Sequence, residues 1–178
     1  FLAHPETAKP LLRKQLERGF TDGRPADKMP GAYLWNKEPF EFIIGLLAEM
    51  KDQDAIPILE KYARGGKDWS CQYLVRFDSP AAMKSLRNLG NRSVIERAKL
   101  GDPTAIDALL AQLRELKKPP PPGVRRCKLD GSLQLITLLM SLGCPRTELV
   151  LEAPAEEWWA KSRPAFAKAF REKYGFIP

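Results

Sequence analysis

The residues able to do chemistry in this chain are few and scattered. His4 is the single histidine, and it stands one residue from Glu6 in His4-Pro5-Glu6. A histidine–carboxylate pair can hold a metal ion, but a closed site takes three or four ligands. No metal and no cofactor are therefore expected. Cys71, Cys127 and Cys144 are far apart and form no Cys-x-x-Cys. An odd count leaves one thiol unpaired within a monomer. Free thiols in a reducing compartment are the expectation, with a Cys127–Cys144 bridge as the alternative. Gly65-Gly66 lacks the Lys-Ser/Thr that completes a phosphate loop, and no Gly-x-Ser-x-Gly elbow is present. Glu156 and Glu157 are neighbours, so on a helix they point to different sides and make no acid/base pair. No catalytic residue is expected. Binding is better supplied. Pro119–Pro122 form a polyproline stretch flanked by Lys117, Lys118, Arg125, Arg126 and Lys128, the densest positive cluster of the chain. Trp158 and Trp159 are adjacent, and two consecutive tryptophans on a helix do not easily both find cover. Arg125, Arg126, Lys128, Trp158 and Trp159 are the candidate binding residues, although capping of the helix stack is a competing role for the tryptophans.

Composition limits the classes open to this chain. At 178 residues, with 44% apolar and 29% charged side chains, it fits a globular protein with a sizeable core. No run of about 18 apolar residues occurs, so no membrane span is expected. The net charge of +7 is uneven: residues 1–37 carry +3, 38–116 carry −1, 117–154 carry +3 and 155–178 carry +2. The excess in the flanks favours an anionic partner or surface without naming one. The chain begins at Phe1 rather than Met. A trimmed, processed or partial chain is the expectation; a cytoplasmic location is favoured, with export left open.

Repetition is what positions these residues. Ala55-Ile56-Pro57-Ile58-Leu59, Ala82-Met83-Lys84-Ser85-Leu86 and Ala105-Ile106-Asp107-Ala108-Leu109 share one pattern: small, large apolar, two variable residues, Leu. A short Asp- or Pro-containing turn precedes each. In the third, Asp102 can accept from free amides of the first turn, and Pro103 fits a position whose N–H is not needed. Ala105, Ile106, Leu109, Leu110, Leu113 and Leu116 then line one helical face. A second helical run lies before each copy: Phe42–Met50, Trp69–Phe77 and Val94–Leu100. The unit is thus a helix pair that restarts after 27 and then 23 residues, a period that marks an α-solenoid. One such pair cannot bury its apolar face alone, so neighbours must stack.

The segment Arg97-Ala98-Lys99-Leu100-Gly101-Asp102-Pro103-Thr104-Ala105-Ile106-Asp107-Ala108-Leu109-Leu110 resembles the second half of a HEAT-like repeat of the bilin-lyase type. Asp52–Leu59 resembles a second copy, with Gln53 at the usual Pro position. Asp78–Leu86 resembles a third, with one extra residue in its turn, and Glu6–Leu12 a fourth, with Lys9 at the apolar position. The resemblance covers 38–116. It implies an all-α solenoid of helix pairs, and for most such proteins a scaffold or adaptor role without catalysis, within one chain or a larger assembly. Two other roles go with the class. One is nucleic-acid binding of the DNA-glycosylase type, for which Trp69, Trp158 and Trp159 would supply aromatic contacts; the slightly acidic core counts against it. The other is bilin-lyase-like ligation of a chromophore to a protein.

The expected organisation is a single domain over residues 1–178: an N-terminal helix in 1–19, an irregular connection in 20–36, the repeat core in 37–116, a Pro-rich basic linker in 117–128, and capping helices in 129–178. Leu11, Leu12 and Leu16 give the first helix a narrow apolar stripe. Lys37–Met50 reads as apolar nearly all round, as in a helix packed on two sides. Trp159, Phe166, Phe170 and Tyr174 recur at spacings of 7, 4 and 4 and define the inward stripe of a final helix laid over the stack. The expected partner is a protein, reached through exposed aromatic and arginine anchors.

Overall fold

Helix is the only regular structure among the described residues, with no strand. The computed structural model describes residues 4–18, 37–67, 69–117, 130–145 and 152–175. Their helices are α1 (Pro5–Arg18), α2 (Lys37–Glu49), α3 (Ile56–Arg64), α4 (Trp69–Phe77), α5 (Pro80–Asn88), α6 (Val94–Lys99), α7 (Pro103–Lys117), α8 (Asp130–Ser141) and α9 (Glu152–Tyr174). The chain divides into two compact units, Phe1–Ser93 and Val94–Pro178. The linker at 118–128, with Arg125, Arg126, Cys127 and Lys128, lies outside the described residues, as do 19–36 and 146–151.

One turn design precedes α3, α5 and α7, with a single 3-10 turn (Gln53–Ala55) between Asp52 at the cap position and α3. Before α3, α2 closes with Lys51 in the left-handed region at φ 51. The Lys51 amide bonds the Ala48 carbonyl at 3.0 Å, and the Asp52 amide bonds the Leu47 carbonyl at 2.9 Å. Before α7, Gly101 takes the same place at φ 79, with Gly101 N to Ala98 O at 2.9 Å and Asp102 N to Arg97 O at 3.0 Å. This pair of bonds is a Schellman closure, which satisfies carbonyls that the helix end leaves open. Three residues past the cap the chain places Ala55, Ala82 and Ala105, each fully buried. Ile56, Met83 and Ile106 follow, then Leu59, Leu86 and Leu109, all buried with the three leucines at zero exposure.

The turn before α5 obeys this frame in a way the sequence comparison misaligns. Asp78 is not the cap. It occupies the left-handed position at φ 41, its amide bonded to Val75 O at 3.2 Å. Ser79 caps the helix, its Oγ accepting from Ala82 N at 3.2 Å, and Pro80 is the first helical residue. The copy therefore has no extra residue: cap to buried alanine is the same step in all three. Glu6–Leu12 does differ. Ala8 and Leu12 are buried, but Glu6 lies inside the first turn of α1 and pairs with Lys9 at 3.1 Å, so no capping acidic residue precedes that stretch.

In the first unit α1 packs on α2, α2 on α4, α3 on α4 and α5, and α4 on α5. Ile43, Ile44 and Leu47 of α2 are buried, whereas Phe42 is 64% exposed, so α2 has a free side that its composition did not suggest. Likewise Leu12 and Leu16 of α1 are buried but Leu11 is exposed. Two polar contacts fasten α1. Arg13 Nε lies 3.2 Å from Asp52 Oδ2, and Arg13 also pairs with Asp54. The Tyr62 hydroxyl donates to Leu16 O at 2.7 Å. The Asp52 carboxylate thus faces α1 instead of capping its own turn.

Glu60 ties α3 to α5. It accepts from Ser85 Oγ at 2.5 Å and from Arg64 at 2.6 and 3.1 Å. Burial pushes the carboxyl up, but the hydrogen bonds from Ser85 and Arg64 outweigh it and hold Glu60 below the ordinary carboxylate range. A depressed folded-state value stabilises the fold above the unfolded value of about 4.3, and that stability is lost as pH falls through the folded value. Glu60→Gln is expected to cost about 1 kcal/mol near neutral pH. The gap to the wild-type chain should narrow in urea titrations as the pH falls below the ordinary carboxylate range and Glu60 itself becomes protonated.

In the second unit α7 is central: α6, α8 and α9 each pack on it. Its buried face (Ala105, Ile106, Leu109, Leu110, Leu113) meets Val94, Ala98, Leu135, Leu139, Ala155 and Trp159. α8 ends in another Schellman closure, Gly143 N to Met140 O at 3.0 Å and Cys144 N to Leu139 O at 3.0 Å. α9 runs unbroken through Pro164 for 23 residues.

Candidate binding surface in the second unit

The aromatic stripe of α9 determines what the second unit shows to solvent. Trp159, Phe170 and Tyr174 are buried, and Phe166 is half-buried. Trp159 meets the Phe166 ring edge-on at 5.4 Å, and Trp158 meets Phe166 at 6.2 Å. The two candidate tryptophans therefore split. Trp159 belongs to the core, and its indole N–H donates to Asp107 Oδ1 at 2.6 Å. Trp158 is half-buried and packs against that core from outside. Asp107 also receives Arg163, at 3.0 Å from Nη2 and 3.2 Å from Nε to Oδ2. Arg114 donates to Glu156 at 2.6 Å. Both pairs join α7 to α9 near the surface, where such contacts each stabilise by less than about 1 kcal/mol. The packed aromatic stripe holds α9 in place.

Beside this cluster lies a groove of about 260 Å³. Leu100 and Gly101 from the end of α6, Leu142 from the end of α8, and Phe166, Ala169 and Phe170 from α9 form its apolar walls, with Tyr174 at one end. Gly101 is the left-handed residue of the α6–α7 turn, and a Cβ there would lie 3.6 Å from the Phe166 ring. The residue that lets the turn close also keeps the groove open. Lys99 and Lys173 are the charged residues of the lining. Lys99 is near Glu96 at 3.8 Å, and Lys173 lies over the Tyr174 ring at 5.2 Å.

The other chemistry-bearing residues take structural places. His4 is exposed just before α1, and among the described residues no three His, Cys, Asp or Glu side chains gather as metal ligands. Cys71 and Cys144 are buried, and burial pushes the Cys144 thiol up, away from the thiolate. Glu156 is the partner of Arg114, while Glu157 is exposed. Trp69 is half-buried between Tyr62 and Tyr73 at 5.9 and 5.6 Å. Burial, then the hydrogen bond to Glu41, pushes the Tyr73 phenol far above its ordinary range. It stays protonated and donates to Glu41 Oε1 at 2.6 Å. Among the described residues no helix is long and apolar enough to cross a membrane.

The sequence spacing puts Trp159, Phe166, Phe170 and Tyr174 in one stripe, but it does not show the groove that the last three of them line. The groove adds Lys99, Gly101 and Leu142, which are brought to α9 only by the packing of three helix ends around it. Gly101 was legible as a helix-ending residue; nothing local pointed to Leu142. Comparison of the chain with known protein families, with characterised proteins and with solved structures finds no match.

Proposed function

We propose that this chain is a protein-binding helical-repeat module, a scaffold or adaptor without catalysis, built as an α-solenoid of HEAT-like pairs with atypical ends. The observation that carries the reading is the turn used three times, with the same cap-to-alanine step and the same buried Ala, large apolar and Leu positions. In the first unit, helices two apart in sequence pack together, α2 on α4 and α3 on α5. Stacking of each helix on its counterpart in the next pair is how a solenoid shares one core among repeats. The titratable groups also support a binding role. Tyr73, Tyr62 and Cys144 are pushed toward their neutral forms by burial, the opposite of what a base or nucleophile at neutral pH needs. Trp158, at the border of core and solvent, is the kind of aromatic anchor on which protein interfaces rely.

The discriminating experiment is titration with fluorescently labelled duplex and single-stranded DNA and RNA between about 50 and 200 mM salt. The repeat core at 38–116 carries −1, so weak binding that vanishes with modest salt is expected. Binding that persists at physiological salt, with a log–log slope showing several neutralised phosphates, would overturn the protein-binding reading.

A further inference from the structure

We infer that the groove of the second unit docks the apolar stripe of an acidic amphipathic helix from a protein partner, a proposal that rests on the protein-binding reading above. Size selects the kind of occupant. At about 260 Å³ the groove falls below the roughly 300–1,000 Å³ in which small molecules and cofactors bury most of their surface. That is room for anchor side chains, with the rest of the ligand outside. Chemistry selects its backbone. The walls are side chains of Leu142, Phe166, Ala169 and Phe170, and the nearby helix ends have spent their amides on Schellman bonds, Gly101 N to Ala98 O and Gly143 N to Met140 O. An extended segment would bring unpaired amides and carbonyls against this surface, each costly to desolvate. A helix satisfies its own backbone and offers apolar residues at three- and four-residue spacing.

Charge selects the flanks. Lys99 and Lys173, the charged residues of the lining, are both exposed and of one sign. Glutamates beside the apolar anchors would meet these cations, whereas lysines would be repelled. Such complementarity acts mainly on specificity and on the rate of encounter.

The test uses the full chain and two labelled synthetic helices with the same leucine stripe, one flanked by glutamates and the other by lysines. Anisotropy at physiological salt is expected to show the glutamate helix binding at least about tenfold more tightly, a difference of about 1.4 kcal/mol. Ala169→Trp, which fills the groove from an exposed position, should weaken binding about tenfold or more. Lys99→Glu with Lys173→Glu should reverse the preference between the helices, which a merely unfolded variant would not do. Equal affinity for the two helices, or no binding of the glutamate helix, would overturn the proposal. If the glutamate helix binds but ignores both variants, the groove assignment falls and the protein-binding reading stands. If it fails to bind while the chain holds nucleic acid at physiological salt, both fall.

Discussion

Asp102→Ala should destabilise the chain by about 3–5 kcal/mol, the cost typical of removing one partner from a buried ion pair. Asp102 is fully buried. One carboxylate oxygen, Oδ1, accepts from the Thr104 amide at 3.1 Å and from the Thr104 hydroxyl at 2.8 Å. The other, Oδ2, faces Arg97 Nη1 at 3.6 Å. The alanine variant removes the cap of α7, worth about 1 kcal/mol. It also takes the carboxylate from Arg97, itself mostly buried, and leaves a charge in a poorly solvated place. Asp102→Asn keeps an oxygen for the Thr104 amide and should lose less than the alanine variant. Ser79→Ala is the internal comparison. Ser79 also caps its helix, accepting from the amide three residues on where Asp102 accepts from the amide two on, but it is partly exposed and donates to Gln53 Oε1 at 2.9 Å, so only the cap and one surface bond go, about 1–2 kcal/mol. Urea midpoints at constant m-value measure all three. Asp102→Ala costing no more than Ser79→Ala would mean that the Arg97 contact contributes little.

How far the fold could be read beforehand depended on how local its cause was. Asp-Pro steps, the Ala-large-x-x-Leu pattern and the 7, 4, 4 spacing of α9 are set within a few residues, and each produced a helix with the expected buried face. The turn at Asp78-Ser79-Pro80 was misaligned because Asp and Ser are both good caps. Only the backbone decides between them, and here it places Asp78 at φ 41 and hands the cap to Ser79. Phe42 and Leu11 looked inward by composition, yet whether an apolar residue is covered depends on which helix arrives, and both are exposed. The pairing of Arg13 with Asp52 and Asp54 joins distant parts of the chain, and no local pattern encodes it.

The candidate site divides along the same line. That two adjacent tryptophans could not both be fully covered was legible, and the 7, 4, 4 spacing already placed Trp159 on the inward stripe, where it is buried. What was not legible is its polar partner: Asp107, at a variable position of the repeat pattern, accepts the Trp159 indole N–H. The groove could not be read at all, because it exists only where the ends of α6 and α8 meet the last turns of α9.

The claim on which the account most depends is that α3, α5 and α7 open with one repeated unit. Leu59, Leu86 and Leu109 are its most direct probes, each with zero exposure at the same step from the cap. Truncating a fully buried leucine removes its transfer free energy and leaves a cavity, together about 2–5 kcal/mol. Leu59→Ala, Leu86→Ala and Leu109→Ala should therefore each lose at least about 2 kcal/mol in urea unfolding followed by circular dichroism. Tolerance at any one of the three positions, a loss below about 0.5 kcal/mol as at an ordinary surface site, would show that this helix does not present its leucine to the core of its unit and would contradict the repeat.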